Sequence, residues 1–275
     1  NNYKHYTKML SVKVSRRMVM ENELRQAIER KEFFIYYQPR INVNTGRIVG
    51  VEALLRWQHH ELGLVFPSEF IPVAEGAGMI VPISEWMLSV VCAQGKAWQS
   101  AGLPAIRLAV KLPSHVFQWR SFMETINRVL QETGITPSLL ELEITETAMM
   151  RNGEVTASRL SMVNALGVKI AIDDFGIGYS SLSCLSSYPI HALKIGKAFV
   201  HGITVNPHVE SIIKAIIAMA KNLKMSVIAN GVETREQLAF LKEHQCEEAQ
   251  GPLFCKPEPP AMVEKMLSQD TSFPQ

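Results

Sequence analysis

The chain has 275 residues and a mass of 30.8 kDa, with 47% hydrophobic and 20% charged residues. This excludes intrinsic disorder, and the scattered 16 Gly, 14 Pro and 4 Cys exclude collagen-like and disulfide-scaffold classes. With 28 Lys and Arg against 26 Asp and Glu, the formal net charge is +2, so no polycationic face awaits a nucleic acid polymer and an anionic ligand must be met locally.

The length allows one large domain or two small ones. Cys92, Cys184, Cys246 and Cys255 form no C-x-x-C pair and no zinc-type spacing, and they read as reduced, mostly buried thiols in a cytosolic compartment. No apolar stretch approaches the roughly 18 residues of a membrane span, so no membrane contact is expected from this segment. No signal peptide follows Asn1, and the chain lacks a starting Met, so it reads as a piece of something longer. The expected location is the cytoplasm, although a parent protein could be membrane-anchored.

Residues Val14–Arg30 read as a helix, with Met18, Leu24 and Ile28 among its apolar positions. Phe33–Val43 and Arg47–Leu55 read as strands joined by the turn Asn44-Thr45-Gly46. So short a connection permits only antiparallel pairing, because a parallel crossover needs a dozen or more residues. Strands and helices then alternate. The predicted strands are Ile106–Lys111, Leu139–Thr145, Val168–Asp173, Ala192–Ile195, Met225–Ala229 and Glu247–Gln250. The predicted helices between them are Ser84–Ser100, Val116–Glu132, Val155–Leu166, Glu210–Leu223 and Arg235–His244. Six such units plus the hairpin give eight strands, the number that closes a TIM-like (β/α)8 barrel, here with an antiparallel first strand. The competing fold, an open doubly wound sheet, has no G-x-G-x-x-G after its first strand to support it.

Glu52 lies within the second strand, while Lys111, Glu143, Asp173, Asp174, Lys194 and Gln250 fall late in strands or just after them. In a parallel barrel those ends converge on one mouth. Converging carboxylates need a cation beside them, and Glu52, Glu143, Asp173 and Asp174 are oxygen ligands of the kind Mg²⁺ or Mn²⁺ prefers. A metal pair held by adjacent acids activates water for in-line displacement at phosphorus. The plainer alternative makes each acid a helix cap or a solvated loop charge. His59 and His60 read as surface residues, and the 13 methionines as core fillers.

The segments YYQPRIN, VEALLRW, FIPVAEGAGMI, LELEITE, IDDFGIGYSSL, ALKIGKAFV, ANGVET and AQGPLF follow one another in this order. Together they resemble the EAL-domain family of cyclic di-GMP phosphodiesterases and receptors, from about Glu23 to Leu267. Residues 1–10 resemble the tail of a GGDEF domain, which implies 1–22 as the end of that domain with a linker helix and 23–270 as the EAL domain.

The resemblance implies Mg²⁺- or Mn²⁺-dependent hydrolysis of cyclic di-GMP to linear pGpG. It implies Glu52, Glu143, Asp173 and Asp174 as metal ligands and Lys194, with Glu52, as the catalytic positions. Gln38, Glu52, Leu54, Arg56, Asp173, Glu233 and Gln250 match ligand-binding positions, and Glu146 matches the acid that steadies the loop after the fifth strand. Phe175 and Tyr179 belong to a loop that supports dimerisation in the family, which makes a homodimer one expected partner; the alternative is that both serve local packing. An attached GGDEF or sensory domain is another.

Three positions depart from the family pattern. Lys111 stands where the family has a metal-binding Asn, Gly196 where it has Asp, and Asn230 where it has a Glu proposed as base. Smaller departures are Ile177 for Thr and Pro252 for Tyr. A protonated amine has no lone pair for a metal, and an amide cannot take a proton from water as a carboxylate can. The expectation is a degenerate EAL domain that binds cyclic di-GMP as a receptor with little or no hydrolysis, with no metal where the Lys111 ammonium stands in for one. The plainer reading of Lys111 is a side chain snorkelling to solvent. An active metal-dependent phosphodiesterase and a ligand-free protein-interaction module are the alternatives.

Overall fold

The computed structural model describes residues 16–113, 116–150, 153–176, 185 and 187–274; the expectations placed on residues 1–10, Ile177, Tyr179 and Cys184 lie outside the described residues. Two compact units are present, one built from residues up to Ile35 with Leu55–Met87, the other from Tyr36–Leu54 with Leu88 onward.

The first unit opens with helix α1, residues 16–27, whose buried Met20, Leu24 and Ala27 recur at helical spacing. It also holds the start of β1 (Phe33–Asn42), the end of β2 (Ile48–His59), β3 (Gly63–Val65), α2 (Pro67–Gly76) and the start of α3 (Ile80–Ser100). Phe33 anchors it, with ring centroids 5.7 Å from Trp57, 5.7 Å from Phe70 and 6.0 Å from Trp86. The Trp57 indole N–H donates to Glu32 Oε2 at 2.9 Å, which satisfies its one polar atom. Neither β3 nor α2 is among the predicted elements, because β3 has three residues and α2 carries Pro72 in its interior, where proline argues against a helix.

His59 corrects a prediction. Read as a surface residue, it is buried at the end of β2, and its Nδ1 accepts the Glu61 and Leu62 N–H groups at 3.1 and 3.2 Å. Burial lowers its pKa, so the neutral imidazole closes the β2–β3 turn.

The second unit is a closed ring of eight strands in the order β1-β9-β8-β7-β6-β5-β4-β2, with β1 returning to β2. Its further members are β4 (Arg107–Lys111), β5 (Leu140–Thr145), β6 (Lys169–Phe175), β7 (Ala192–Ile195), β8 (Ser226–Asn230) and β9 (Glu248–Gln250). β2 and β4 to β9 run parallel. β1 alone runs antiparallel, as its tight turn demands; Arg47 O accepts the Asn42 N–H at 2.9 Å. This is the predicted (β/α)8 barrel.

The helices of this unit, after α3, are α4 (Phe122–Thr133), α5 (Glu146–Met150), α6 (Gly153–Ala165), α7 (Lys197–Val200), α8 (Pro207–Asn222), α9 (Arg235–Glu243) and α10 (Pro260–Ser268). Local chemistry fixes several ends. Asn206 caps α8 by accepting the His208 N–H, and Thr234 with Gln237 forms a reciprocal capping box on α9. Against β4, α3 comes so close that a Cβ on Gly95 would sit 2.1 Å from Leu108 Cδ1.

The helix predicted over Val116–Glu132 is broken. Residues Val116–Gln118 form a 3₁₀ turn and α4 begins only at Phe122. Between them Trp119 is buried and its carbonyl accepts Arg159 NH1 of α6 at 2.7 Å, a tertiary contact that outweighs the local helical pattern. Cys92 and Cys246 are buried free thiols, and Cys255 is half-buried and free.

Candidate functional site

Residues one apart on a strand face opposite sides, so the alternating polar residues of β1, β5 and β9 enter the barrel interior together. Strand β1 supplies Gln38 and Arg40, β5 supplies Glu141 and Glu143, and β9 supplies Glu248 and Gln250. With Glu52 from β2, Asp173 from β6 and Lys194 from β7, all but Gln38 are buried. An apolar ring of side chains is the usual filling of such a barrel. Here an ionic layer lies beside the apolar cluster of Ala171, Ala192 and Ile228.

Lys194 is the hub. Its fully buried ammonium lies 2.7 Å from Glu52 Oε2, 2.8 Å from Glu143 Oε2 and 3.7 Å from Asp173 Oδ1. Burial alone would lower its pKa, but Glu143 and Glu52 hold the ammonium well above its ordinary value. Glu143 also accepts Arg40 NH2 at 2.8 Å, while Arg40 NH1 reaches Glu141 Oε1 at 2.6 Å. Burial, with Glu52 close by, pushes the Glu143 carboxyl above its ordinary value, against the pull of Lys194 and Arg40. Glu248 completes the lower layer, paired with Arg107 and lying 3.7 Å from Arg40 NH1.

Arg40, Glu141 and Glu248 were not among the predicted site residues. The signal was in the sequence: Glu141 and Glu143 stand two apart in LELEITE and therefore share a face, which demands a buried cation opposite. Arg40 stands two after Gln38 in the same way.

At the strand ends, Lys111 Nζ lies 2.5 Å from Asp173 Oδ2 and 3.3 Å from Asp174 Oδ2. Consecutive residues of a regular strand could not both face one ammonium. The β6–β7 register slips between Ile172 and Phe175, and Asp174 takes a left-handed conformation at φ 53, which Asp tolerates better than most residues. That irregularity turns both acids toward Lys111. The side chain of Lys111 is 44% exposed, so its stem does reach solvent as the plainer reading held, but its charged end is paired. Although burial works against it, Asp173 beside Lys111 holds the ammonium above its usual pKa. Asp173 in turn, against the effect of burial, is held below the carboxylate range by Lys194 and Lys111.

Gln250 donates to Gln38 Oε1 at 3.1 Å and to Glu52 Oε2, and Gln38 donates to the Cys255 carbonyl at 3.0 Å. The Gln250 carbonyl accepts the Gly231 and Val232 N–H groups at 2.8 and 3.0 Å. A Cβ on Gly251 would meet the Val232 carbonyl oxygen at 2.2 Å, so only glycine lets the two segments approach this closely. Asn230 ends β8 opposite Gln250, and Gly196 stands at the N-cap of α7. Glu146 accepts the Gly176 N–H at 3.4 Å, just past β6.

Glu233 is not brought to the acids around Lys194. It is exposed and pairs with Lys197 Nζ at 2.9 Å and His201 Nε2 at 3.2 Å. Leu54 is half-buried in β2. Arg56 belongs to the first unit, where NH1 donates to the Leu55 carbonyl at 2.8 Å and the guanidinium lies 5.2 Å from the centre of the Phe66 ring.

A divalent metal would need oxygen lone pairs of several acids turned to one point. Here Lys194 takes those of Glu52 and Glu143, and Lys111 takes one from Asp173. Among the described residues no three of His, Cys, Asp and Glu are placed to hold a metal ion. As placed, these acid oxygens are paired with two ammonium groups, Lys194 and Lys111.

Residues 21–257 match the EAL domain family. Cyclic di-GMP phosphodiesterase NbdA of Pseudomonas aeruginosa is 39% identical over 267 residues, 97% of this chain and 34% of that protein. The bifunctional diguanylate cyclase/cyclic di-GMP phosphodiesterase MucR of the same organism is 36% identical over 94% of this chain and 38% of that protein. The chain thus spans about a third of the length of these relatives. A solved structure of the PaMucR phosphodiesterase in complex with c-di-GMP superposes with a TM-score of 0.86 at 37% identity, covering 89% of this chain and 99% of that one. Among the described residues no helix is long and apolar enough to cross a membrane. The chain belongs to the EAL domain family.

Proposed function

We propose that this EAL domain is a cyclic di-GMP receptor whose site is served by protein cations in place of metal, with little or no hydrolysis. The observation that carries this reading is Lys111 Nζ at 2.5 Å from Asp173 Oδ2 and 3.3 Å from Asp174 Oδ2. An ammonium there neutralises the acids without offering a coordination site or a Lewis acid to activate water. Asn230, in place of a carboxylate, adds no base. Arg56, Gln38, Glu52, Leu54, Glu233 and Gln250 remain at the ligand-binding positions of the family, and a guanidinium makes charge-assisted hydrogen bonds to phosphate oxygens.

The second reading is an active Mg²⁺- or Mn²⁺-dependent phosphodiesterase. It is favoured by relatives such as NbdA, which carries that activity in its name. We also propose that residues 23–270 form the EAL domain and 1–22 the end of a GGDEF domain with its linker, acting in the cytoplasm. The bifunctional name of MucR supports that arrangement.

One experiment separates the readings: titration of cyclic di-GMP with Mg²⁺ and with chelator, followed by product analysis. The receptor reading predicts equal affinity in both arms and intact ligand at the end. Release of pGpG only with metal would establish the phosphodiesterase instead. Absence of binding would leave an interaction module.

A further inference from the structure

Arg40 has no exposed surface, so a ligand at the barrel mouth cannot touch it. Its guanidinium holds two glutamates that stand two apart on β5. NH1 reaches Glu141 Oε1 at 2.6 Å, and NH2 reaches Glu143 Oε1 at 2.8 Å. Balancing buried carboxylates needs only a positive charge, which a lysine would supply. Spanning two of them at once needs a rigid planar fork, the property that separates arginine from lysine. The contacts continue past Glu143. Its Oε1 also accepts Lys194 Nζ at 3.1 Å and its Oε2 accepts the same ammonium at 2.8 Å, so both oxygens are held. Lys194 then donates to Glu52 Oε2 at 2.7 Å, the oxygen to which Gln250 also donates. All of these residues belong to the barrel unit.

We propose that Arg40 is a positioning residue: anchored by Glu141, it acts through Glu143 and Lys194 to orient Glu52 and Gln250 at the barrel mouth. The inference rests on the receptor reading, in which Glu52 and Gln250 are ligand-binding positions. The carboxylate torsion of a glutamate is broad and roughly two-fold, so only bonds to its oxygens fix its direction. Without the guanidinium, Glu143 keeps Lys194 as its one cation and is free to turn with it. The ammonium then loses its fixed aim at Glu52. An Arg40 that merely balances the buried acids would be replaceable by any other cation of similar reach.

The test keeps the charge and removes the fork. Cyclic di-GMP is titrated by calorimetry into the native chain, Arg40→Lys, Glu141→Gln and the double variant, well below the melting temperature of each. The NMR signal of the Lys194 side chain, assigned by its loss in Lys194→Arg, is recorded for each without ligand. Arg40→Lys should bind about tenfold more weakly, the lower end of what losing an outer hydrogen-bond partner costs a site. Glu141→Gln leaves Arg40 and Glu143 in place, carries the test should Arg40→Lys fail to fold, and should weaken binding about threefold. The double variant should lose no more than Arg40→Lys alone, because changes within one network of contacts do not add. In every variant the Lys194 signal should move from its native position, which simple loss of stability would not produce in a folded protein. Native-like affinity in the folded variants, weakened binding with an unmoved Lys194 signal, or additive losses in the double variant would overturn the proposal and leave the receptor reading intact. No binding by the native chain would overturn the receptor reading, and the Lys194 signal would then decide the positioning by itself.

Discussion

Lys111 at the end of β4 and Asp173 in β6 meet at 2.5 Å, across the intervening strand β5, whose Glu143 is register partner to Lys111. The contact places a fixed positive charge where the family pattern calls for a neutral amide. A metal approaching Asp173 would have to displace that ammonium and would be repelled by it.

Turnover should follow the chemistry of the three altered positions. The native protein should release little or no pGpG over hours with Mn²⁺, as read by chromatography of the products. Lys111→Asn combined with Gly196→Asp and Asn230→Glu should recover measurable pGpG, because the amide and both carboxylates return together. Rapid turnover by the native protein would contradict the account.

Arg56 should contribute to affinity through charged hydrogen bonds. Arg56→Ala is expected to weaken cyclic di-GMP binding by about 1.5–3 kcal/mol, measured by calorimetry. A loss confined to a few tenths would place the phosphates elsewhere.

The lower ionic layer is sensitive to the loss of any one partner. Arg40 is fully buried against Glu141 and Glu143, so Arg40→Ala strands two carboxylates without their partner. The expected cost is about 3–5 kcal/mol in denaturant unfolding, the range for breaking one side of a buried ion pair. An effect below about 1 kcal/mol would mean that water or a rearranged Lys194 takes the place of the guanidinium.

Acid should weaken the fold through Asp173. Its folded-state pKa is depressed, so the stabilisation is present above the ordinary Asp value and is lost as pH falls through the folded value. Lys111→Met removes one cause of that depression. Its melting temperature should fall less than that of the native chain as pH is lowered through the carboxylate range. Parallel profiles for the two proteins would show that Lys111 does not hold Asp173 ionised.

The parts of this molecule legible in the sequence are those fixed by local chemistry. The turn at Asn44-Thr45-Gly46 forces an antiparallel hairpin, and Ala192–Ile195 is a strand with the bounds its apolar run suggests. Acids in and late in strands meet in the barrel, as Glu52, Glu143 and Asp173 do around Lys194. What was not legible depends on distant partners. The break at Trp119 is made by Arg159 of another helix, and the burial of His59 by a turn that its own ring completes. The capture of both Asp173 and Asp174 by Lys111 needs a register slip in β6 that no apolar pattern encodes.

Metal binding by Lys111→Asn, set beside the native chain, tests the central claim most directly. Removing the ammonium leaves Asp173 and Asp174 without that counter-cation, and like charges so close are costly. Melting temperature is followed as Mg²⁺ or Mn²⁺ is titrated, because a ligand that binds only the folded state raises it. The account predicts no metal-dependent rise for the native protein and a clear one for Lys111→Asn. Equal metal-dependent stabilisation of the two proteins would show that the Lys111 ammonium does not occupy the place of a metal.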